Sequence, residues 1–178
     1  MNILLNIGLL DTKISENIIH LRTDFLNNFF ITFTMLGVWY VILFLFICVS
    51  AIFYFYKKTN LILPFFIILI GSGVLTVIIK FLVDRARPSL DLAIYAEKLP
   101  AFPSAHAALI LAFFGFLIYC LWKFSFGLKI KIILTLLSIL LIALVGFSRV
   151  YLGVHYLSDV IVGYLVGLMW LLITLRFF

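Results

Sequence analysis

Charge is scarce in this sequence. Of its 178 residues only 11% are Asp, Glu, Lys or Arg, against about a quarter in a soluble domain. No polar stretch is long enough to fold as a water-soluble appendage. Cysteine is limited to Cys48 and Cys120, both inside apolar runs and without metal-ligand spacing. They read as small buried hydrophobes, which excludes a disulfide scaffold and a thiolate metal site. Histidine occurs three times and proline four times. Internal repeats and low-complexity segments are absent. Hydrocarbon fills the chain instead: 66% of residues are hydrophobic, 17% are aromatic, and the mean hydropathy is +1.32. That composition belongs to an integral membrane protein. The net charge of +6 then reports topology rather than an affinity for nucleic acid.

A spanning helix needs about 20 apolar residues. Five segments qualify: 29–56, 61–83, 105–122, 130–147 and 157–173. Residues 1–24 are too polar to span. There Ile3, Leu4, Ile7, Leu10, Ile14, Ile18 and Leu21 recur at three- and four-residue steps between Asp11, Lys13, Glu16 and Asn17. This pattern predicts an amphipathic helix in the membrane interface. It makes a poor signal peptide, since no basic region precedes a compact apolar core. The expected fold is all-α: one polytopic helical bundle over 1–178, with about five transmembrane helices and an interfacial N-terminal helix. The 84–104 loop, holding Pro88, Pro100 and Pro103, is the longest break between spans and the expected lid or side wall of a site.

Loop charge sorts by side. Lys57 and Lys58 follow the first span, Lys123, Lys129 and Lys131 lie between the third and fourth, and Arg176 is near the C-terminus. All six lie on one face, and all seven acidic residues lie on or near the other. The positive-inside rule makes the first face cytoplasmic. The N-terminus is then outside and the C-terminus inside.

Three polar clusters interrupt the apolar runs, all on the expected non-cytoplasmic face: Lys80 to Arg87-Pro88, Pro103-Ser104-Ala105-His106, and Ser148-Arg149 to His155 and Asp159. Such groups are expensive in lipid. Lys80, Arg87 and Arg149 at span ends on one face repel one another unless an anion lies between them. A phosphate fits, since guanidinium forks bind its oxygens bidentately and an ammonium adds a point charge. Taken singly, each of these cations also fits ordinary snorkelling to the interface. Pro103-Ser104 suits a helix start, where exposed amides favour an anion, and His106 falls in that first turn. His155 and Asp159, four apart, share a face if both are helical. Asp159 then fixes the His155 tautomer and leaves the other ring nitrogen as a nucleophile. A plain His–Asp pair tying helix ends together is the structural alternative.

Lys80-x6-Arg87-Pro88, Pro103-Ser104-x-His106 and Ser148-Arg149-x5-His155-x3-Asp159 together resemble the three-part signature of the type 2 phosphatidic acid phosphatase (PAP2) superfamily. The resemblance implies a helical membrane core and metal-independent hydrolysis of a phosphate ester through a phosphohistidine. It implies His155 as nucleophile, Asp159 as its orienting acid and His106 as general acid. It gives Lys80, Arg87, Ser104 and Arg149 to the phosphoryl oxygens. The chain departs from the commonest pattern at Ala105, where glycine is usual, and in offering five spans where larger members have six. Asp84 and Arg85 lie inside the first motif; they are expected to pair with each other, or Arg85 to contact a second phosphate or a lipid headgroup.

The implied function is that of a lipid phosphatase, with no metal, no cofactor and no nucleic-acid partner. The expected location is a bacterial inner membrane, with the site facing the periplasm or exterior. Candidate substrates are undecaprenyl-type diphosphate, ranked first on resemblance to small bacterial members, then phosphatidylglycerophosphate, phosphatidate and the lipid A phosphate. A non-catalytic lipid-binding or transport module on the same fold, and a haloperoxidase-like site, are the alternatives.

Overall fold

A computed structural model describes residues 2–89 and 93–178, with side chains from Asn6 onward. The side chains of Ile3 and Leu4, and positions 90–92 of the expected lid, lie outside that description. Among the described residues the chain is all-helical. Its α-helices are α1 (Asn2–Ile19), α2 (Asp24–Thr34), α3 (Trp39–Phe55), α4 (Ile62–Val83), α5 (Ala105–Lys123), α6 (Leu128–Tyr151) and α7 (Leu157–Phe177). Short 3-10 turns, Met35–Gly37 and Thr59–Leu61, precede α3 and α4.

Four of the expected spans appear as continuous helices long and apolar enough to cross a bilayer: Thr59–Val83, Ala105–Lys123, Leu128–Tyr151 and Leu157–Phe177. The fifth, expected as 29–56, is broken. α2 and α3 meet at an angle of 57°, with Val38 extended between them (φ −73°, ψ 137°). The break has a packing cause. A Cβ on Gly37 would stand 2.9 Å from Val145 Cγ1 and 3.0 Å from His106 Cβ, so the turn presses its backbone against α5 and α6 where a side chain has no room. α2 remains at one end of the bundle: Phe30 lies against Tyr151 and Phe147 near the end of α6. The crossing therefore falls to α3, about 25 Å long at 1.5 Å per residue. Exposed aromatic residues mark both its ends, Trp39 and Tyr40 at one and Tyr54, Phe55 and Tyr56 at the other, as in an interfacial aromatic belt.

α5 and α7 share the most extensive packing, and two glycines allow it. A Cβ on Gly163 would lie 2.4 Å from the Ser104 carbonyl oxygen, and one on Gly167 2.4 Å from that of Ala108. In lipid, where apolar burial between helices gains little, small residues that let backbones approach are what hold helices together. Between α4 and α5 the contact is aromatic, with Phe65 stacked on Phe116 at 4.6 Å. α6 turns most of its apolar side chains outward, Leu136, Leu137, Ile139 and Leu140 among them, as a helix facing hydrocarbon does.

α1 packs on α6 and α7. Asp11 and Ser15 are buried with Ile18, whereas Leu9 and Leu10 are exposed. The inward face combines Asp11 and Ser15 with Ile14 and Ile18, whereas Thr12, Lys13, Glu16 and Asn17 on the polar side are exposed.

The α5–α7 contact yields a direct expectation. Gly163→Ala adds a methyl against a backbone oxygen that cannot rotate away. It should lower unfolding stability in detergent by about 1–3 kcal/mol, the usual cost of overpacking. An unchanged thermal midpoint would show that the two helices are farther apart than described.

Candidate active site

The three sequence clusters converge at the end of the bundle that also holds α1 and α2. Lys80, Arg87, His106 and His155 line one cavity of about 250 Å³, together with Glu97, Lys98, Ala105 and an apolar edge of Val38, Trp39, Leu99 and Leu109. Ser104, Arg149 and Asp159 are fully buried around it.

Each member is fixed by local structure. Lys80 sits in the last turn of α4 and donates to the Pro100 and Ala101 carbonyls at 2.6 and 3.2 Å. α4 ends at Asp84, whose left-handed backbone (φ 44°) turns the chain into the loop. Arg87 lies in that loop and is held by the Leu99 carbonyl (2.8 Å) and the Val154 carbonyl (2.5 Å). Ser104 caps α5 as expected, its Oγ accepting from Ala107 N at 3.4 Å. Its own amide donates to the Asp159 carbonyl at 2.9 Å, tying the start of α5 to the start of α7. Ser104 is thus engaged in capping rather than aimed into the cavity.

Arg149 ends α6 with no exposure to solvent. Its Nη1 donates to Thr34 Oγ1 (2.8 Å) and the Tyr95 hydroxyl (2.6 Å), and its Nη2 to Glu97 Oε1. The other oxygen of Glu97 is 2.7 Å from Arg87 Nη2. One carboxylate therefore joins the two arginines. Burial alone would raise the Glu97 carboxyl, but Arg149 and Arg87 outweigh it and hold the group below the ordinary carboxylate range.

His155 departs from the helical geometry expected of it. α7 begins at Leu157, so His155 lies in the connection before the helix. It still meets Asp159: Nδ1 is 3.4 Å from Oδ2, close enough for attraction but without the alignment of a hydrogen bond. On the far side of the ring, Nε2 is 3.3 Å from Arg87 Nη1. A guanidinium can only donate, so Nε2 carries the lone pair and Nδ1 the proton that faces Asp159. Burial, followed by the charges of Arg149, Arg87 and Lys80, lowers the His155 pKa well below its ordinary value. The shift favours the neutral ring.

Arg85, expected to meet Asp84, a second phosphate or a lipid headgroup, finds two carboxylates as partners. Its Nη1 donates to Asp159 Oδ1 (2.6 Å) and Ser158 Oγ (2.7 Å), and its Nη2 to Asp11 Oδ2 (2.8 Å). Both arms are taken because Asp11 and Asp159 are buried and each needs a cation. Burial works against the charge on Arg85, but Asp11 and Asp159 more than offset it and raise its pKa. Asp11 Oδ1 also accepts from Ser158 N at 3.1 Å, and Asp159 Oδ2 from Tyr156 N at 2.9 Å.

Asp11, Thr34, Tyr95 and Glu97 were not among the residues that motif spacing selects. Only Asp11 gave a signal, as an acid within the apolar stripe of the N-terminal helix. Removing it should leave Arg85 half-paired beside Asp159. Asp11→Ala is expected to cost about 3 kcal/mol, the lower part of the range for breaking a buried ion pair because Arg85 is partly exposed. Thermal unfolding in detergent measures this, and a loss below roughly 0.5 kcal/mol, the scale of an exposed pair, would show that α1 does not buttress the site.

Comparison with known proteins agrees with this geometry. Residues 61–178 match the PAP2 superfamily. Phosphatidylglycerophosphatase B of Bacillus subtilis is 30% identical over 160 residues, which is 89% of this chain and 78% of that protein. The crystal structure of a transmembrane PAP2 type phosphatidylglycerolphosphate phosphatase from Bacillus subtilis superposes with a TM-score of 0.90 at 29% identity, covering 99% of this chain and 87% of that one. The crystal structure of Aquifex aeolicus LpxE gives a TM-score of 0.73 at 28% identity, over 92% and 93% of the two chains. The family match takes in all three polar clusters and the helices that carry them, so the chain belongs to the PAP2 superfamily and is a membrane-embedded phosphoric ester hydrolase.

Proposed function

We propose that this protein removes the terminal phosphate of a membrane lipid, through a phosphohistidine on His155 and without a metal ion. The observation that carries the reading is the two-sided cavity. Its interior holds Lys80, Arg87, His106 and His155, and its edge holds the exposed apolar side chains of Trp39 and Leu99. A ligand that suits both parts is anionic at one end and hydrocarbon at the other, so its tail stays in the bilayer while its headgroup enters. Among such lipids, phosphatidylglycerophosphate ranks ahead of undecaprenyl diphosphate, because the Bacillus subtilis relative and the Bacillus subtilis crystal structure that match this chain are both named for that activity. Phosphatidate and lipid A phosphate remain in the panel.

The steps follow from the donors and acceptors present. His155 Nε2 attacks phosphorus, and the phosphorus bond to the lipid oxygen breaks as the new nitrogen–phosphorus bond forms. Asp159 faces the proton on Nδ1 and stabilises the imidazolium. His106 gives the departing alkoxide its proton, the substrate dianion having favoured the protonated ring. A water molecule then yields a proton to His106 and attacks the phosphohistidine, which releases inorganic phosphate and restores both histidines. Lys80, Arg87 and Arg149 supply the positive charge that stabilises the transferring group.

The non-catalytic reading accounts for a lipid-shaped cavity but not for a neutral buried imidazole between a cation and a carboxylate. The proposed orientation puts the cavity on the non-cytoplasmic face. The six cations of the other end support it, with Lys58 Nζ lying 5.9 Å from the Phe124 ring centroid and so joining the two lysine-bearing turns. In a bacterium this is the inner membrane, with the site facing the periplasm or exterior.

Protein purified in detergent with EDTA is expected to release phosphate from at least one of the four lipids, and His155→Ala to lose activity at least a thousandfold. Equal release by the variant, or a strict metal requirement in wild type, would refute the phosphohistidine route. Orientation is tested separately. Ser89 is exposed, and Ser89→Cys should react with an impermeant maleimide on intact spheroplasts; labelling only after lysis reverses the topology.

A further inference from the structure

Glu97 has no part in the reaction above, yet it occupies the centre of the cationic site. Its two carboxylate oxygens reach Arg87 and Arg149, one on each. Arg87 in turn approaches the nucleophilic nitrogen of His155 at 3.3 Å. A carboxylate spread across two guanidinium groups offers each of them one anionic oxygen, as two oxygens of a phosphoryl group would. Glu97 belongs to the loop between α4 and α5 rather than to a helix, and its side chain is one-quarter exposed at the cavity wall. It is positioned to leave as well as to stay.

We propose that Glu97 is a specificity-determining residue: a resident carboxylate that the incoming phosphoryl group must displace from Arg87 and Arg149. The inference rests on the lipid phosphomonoesterase reading. Its consequence is discrimination by charge. A bilayer is made of phosphodiester lipids, each with one negative charge on phosphorus, and they vastly outnumber any phosphomonoester. Exchanging the Glu97 carboxylate for a phosphodiester replaces one charge by one charge and forfeits contacts already formed. Exchanging it for a terminal phosphate brings a second charge and a third oxygen to a site that also holds Lys80. The resident carboxylate therefore sets a threshold that a monoester dianion passes and a diester does not. Without it the two arginines would bind bulk lipid headgroups, and the enzyme would be inhibited by its own solvent. Specificity of this kind comes from an element placed against the wrong ligand rather than from a new contact to the right one.

The test compares wild type with Glu97→Gln in detergent micelles at pH 8. It uses phosphatidylglycerophosphate hydrolysis as the assay, with phosphatidylglycerol, a phosphodiester, and inorganic phosphate as competitors. The glutamine variant keeps the shape of the side chain and loses its charge. Inhibition by phosphatidylglycerol should strengthen at least tenfold, inhibition by inorganic phosphate should strengthen by a similar or smaller factor, and the KM should fall. Unchanged phosphatidylglycerol inhibition, or a raised KM with weaker phosphate inhibition, would overturn the proposal and make Glu97 a fixed support for the arginines. Glu97→Asp guards against a folding defect. Its shorter reach keeps the charge but cannot span both arginines, so phosphatidylglycerol inhibition should strengthen severalfold; no strengthening refutes the idea equally. Failure of the underlying reading would look different, as wild-type protein that hydrolyses no phosphomonoester lipid or retains its activity after His155→Ala.

Discussion

The rest of the site depends on a full positive charge held without solvent. Arg149 ends α6 inside the bundle, where an uncompensated guanidinium would cost several kcal/mol. Its partners come from two separate stretches of chain. Thr34 arrives because the helix entering the membrane breaks after it, and Tyr95 and Glu97 arrive because the loop between α4 and α5 folds inward. The break at Met35–Gly37 and the course of the loop are thus consequences of one need. An unbroken first span would carry Thr34 away along its own axis. A loop lying out on the membrane surface would leave Arg149 without Tyr95 and Glu97.

A second layer lies behind the first. Asp159 takes Arg85 on one oxygen and faces His155 with the other. The carboxylate cannot turn both oxygens toward the histidine, nor rotate away from it, while Arg85 is anchored by Asp11 on α1. The N-terminal helix therefore helps to hold Asp159 beside His155 without touching the histidine. Precise placement of a nucleophile needs this kind of support, because an imidazole displaced by an ångström loses much of its advantage. The Arg85 guanidinium also lies over the Tyr156 ring, 4.4 Å from its centroid, which fixes the plane of the fork as well as its position.

Hydropathy made four of the five spans legible, because a run of about 20 apolar residues has one good solution in a bilayer. It could not reveal the break at Met35–Gly37, since Met35-Leu36-Gly37-Val38 is as apolar as its neighbours. The reason for the bend lies on α5 and α6, not within the segment. Motif spacing selected Lys80, Arg87, His106, Arg149, His155 and Asp159, groups with no cheap alternative in lipid, and the structure brings them together at one end of the bundle. It gave the right pair in His155 and Asp159 by a helical argument that the loop position of His155 does not satisfy; proximity came from the turn into α7 instead. The pairing of Arg85 with Asp11 was not legible because the two lie 74 residues apart, and no local rule spans that separation. Gly163 and Gly167 carried a legible signal, a glycine pair one turn apart in an apolar helix, which hydropathy passes over.

The distribution of charge ties the sequence to the fold. By chain position, with the α4–α5 segment counted whole, seven basic and seven acidic residues belong to the end of the bundle that holds the site. They compensate one another, and the whole net charge of +6 comes from Lys57, Lys58, Lys123, Lys129, Lys131 and Arg176 at the other end. The two populations obey different rules. Cations at the far end sit among interfacial aromatic residues, as Lys123 does over Tyr119 and Lys131 over Trp122, and no acid accompanies them. Those at the site are desolvated, so each must bring an anion or wait for one. For Asp11, Glu97 and Asp159 the one-sided placement of acids follows from the cations they pair with at the site. A site for a phosphate must hold positive charge ready in the absence of its ligand, and in a membrane that charge has to be balanced from within the chain.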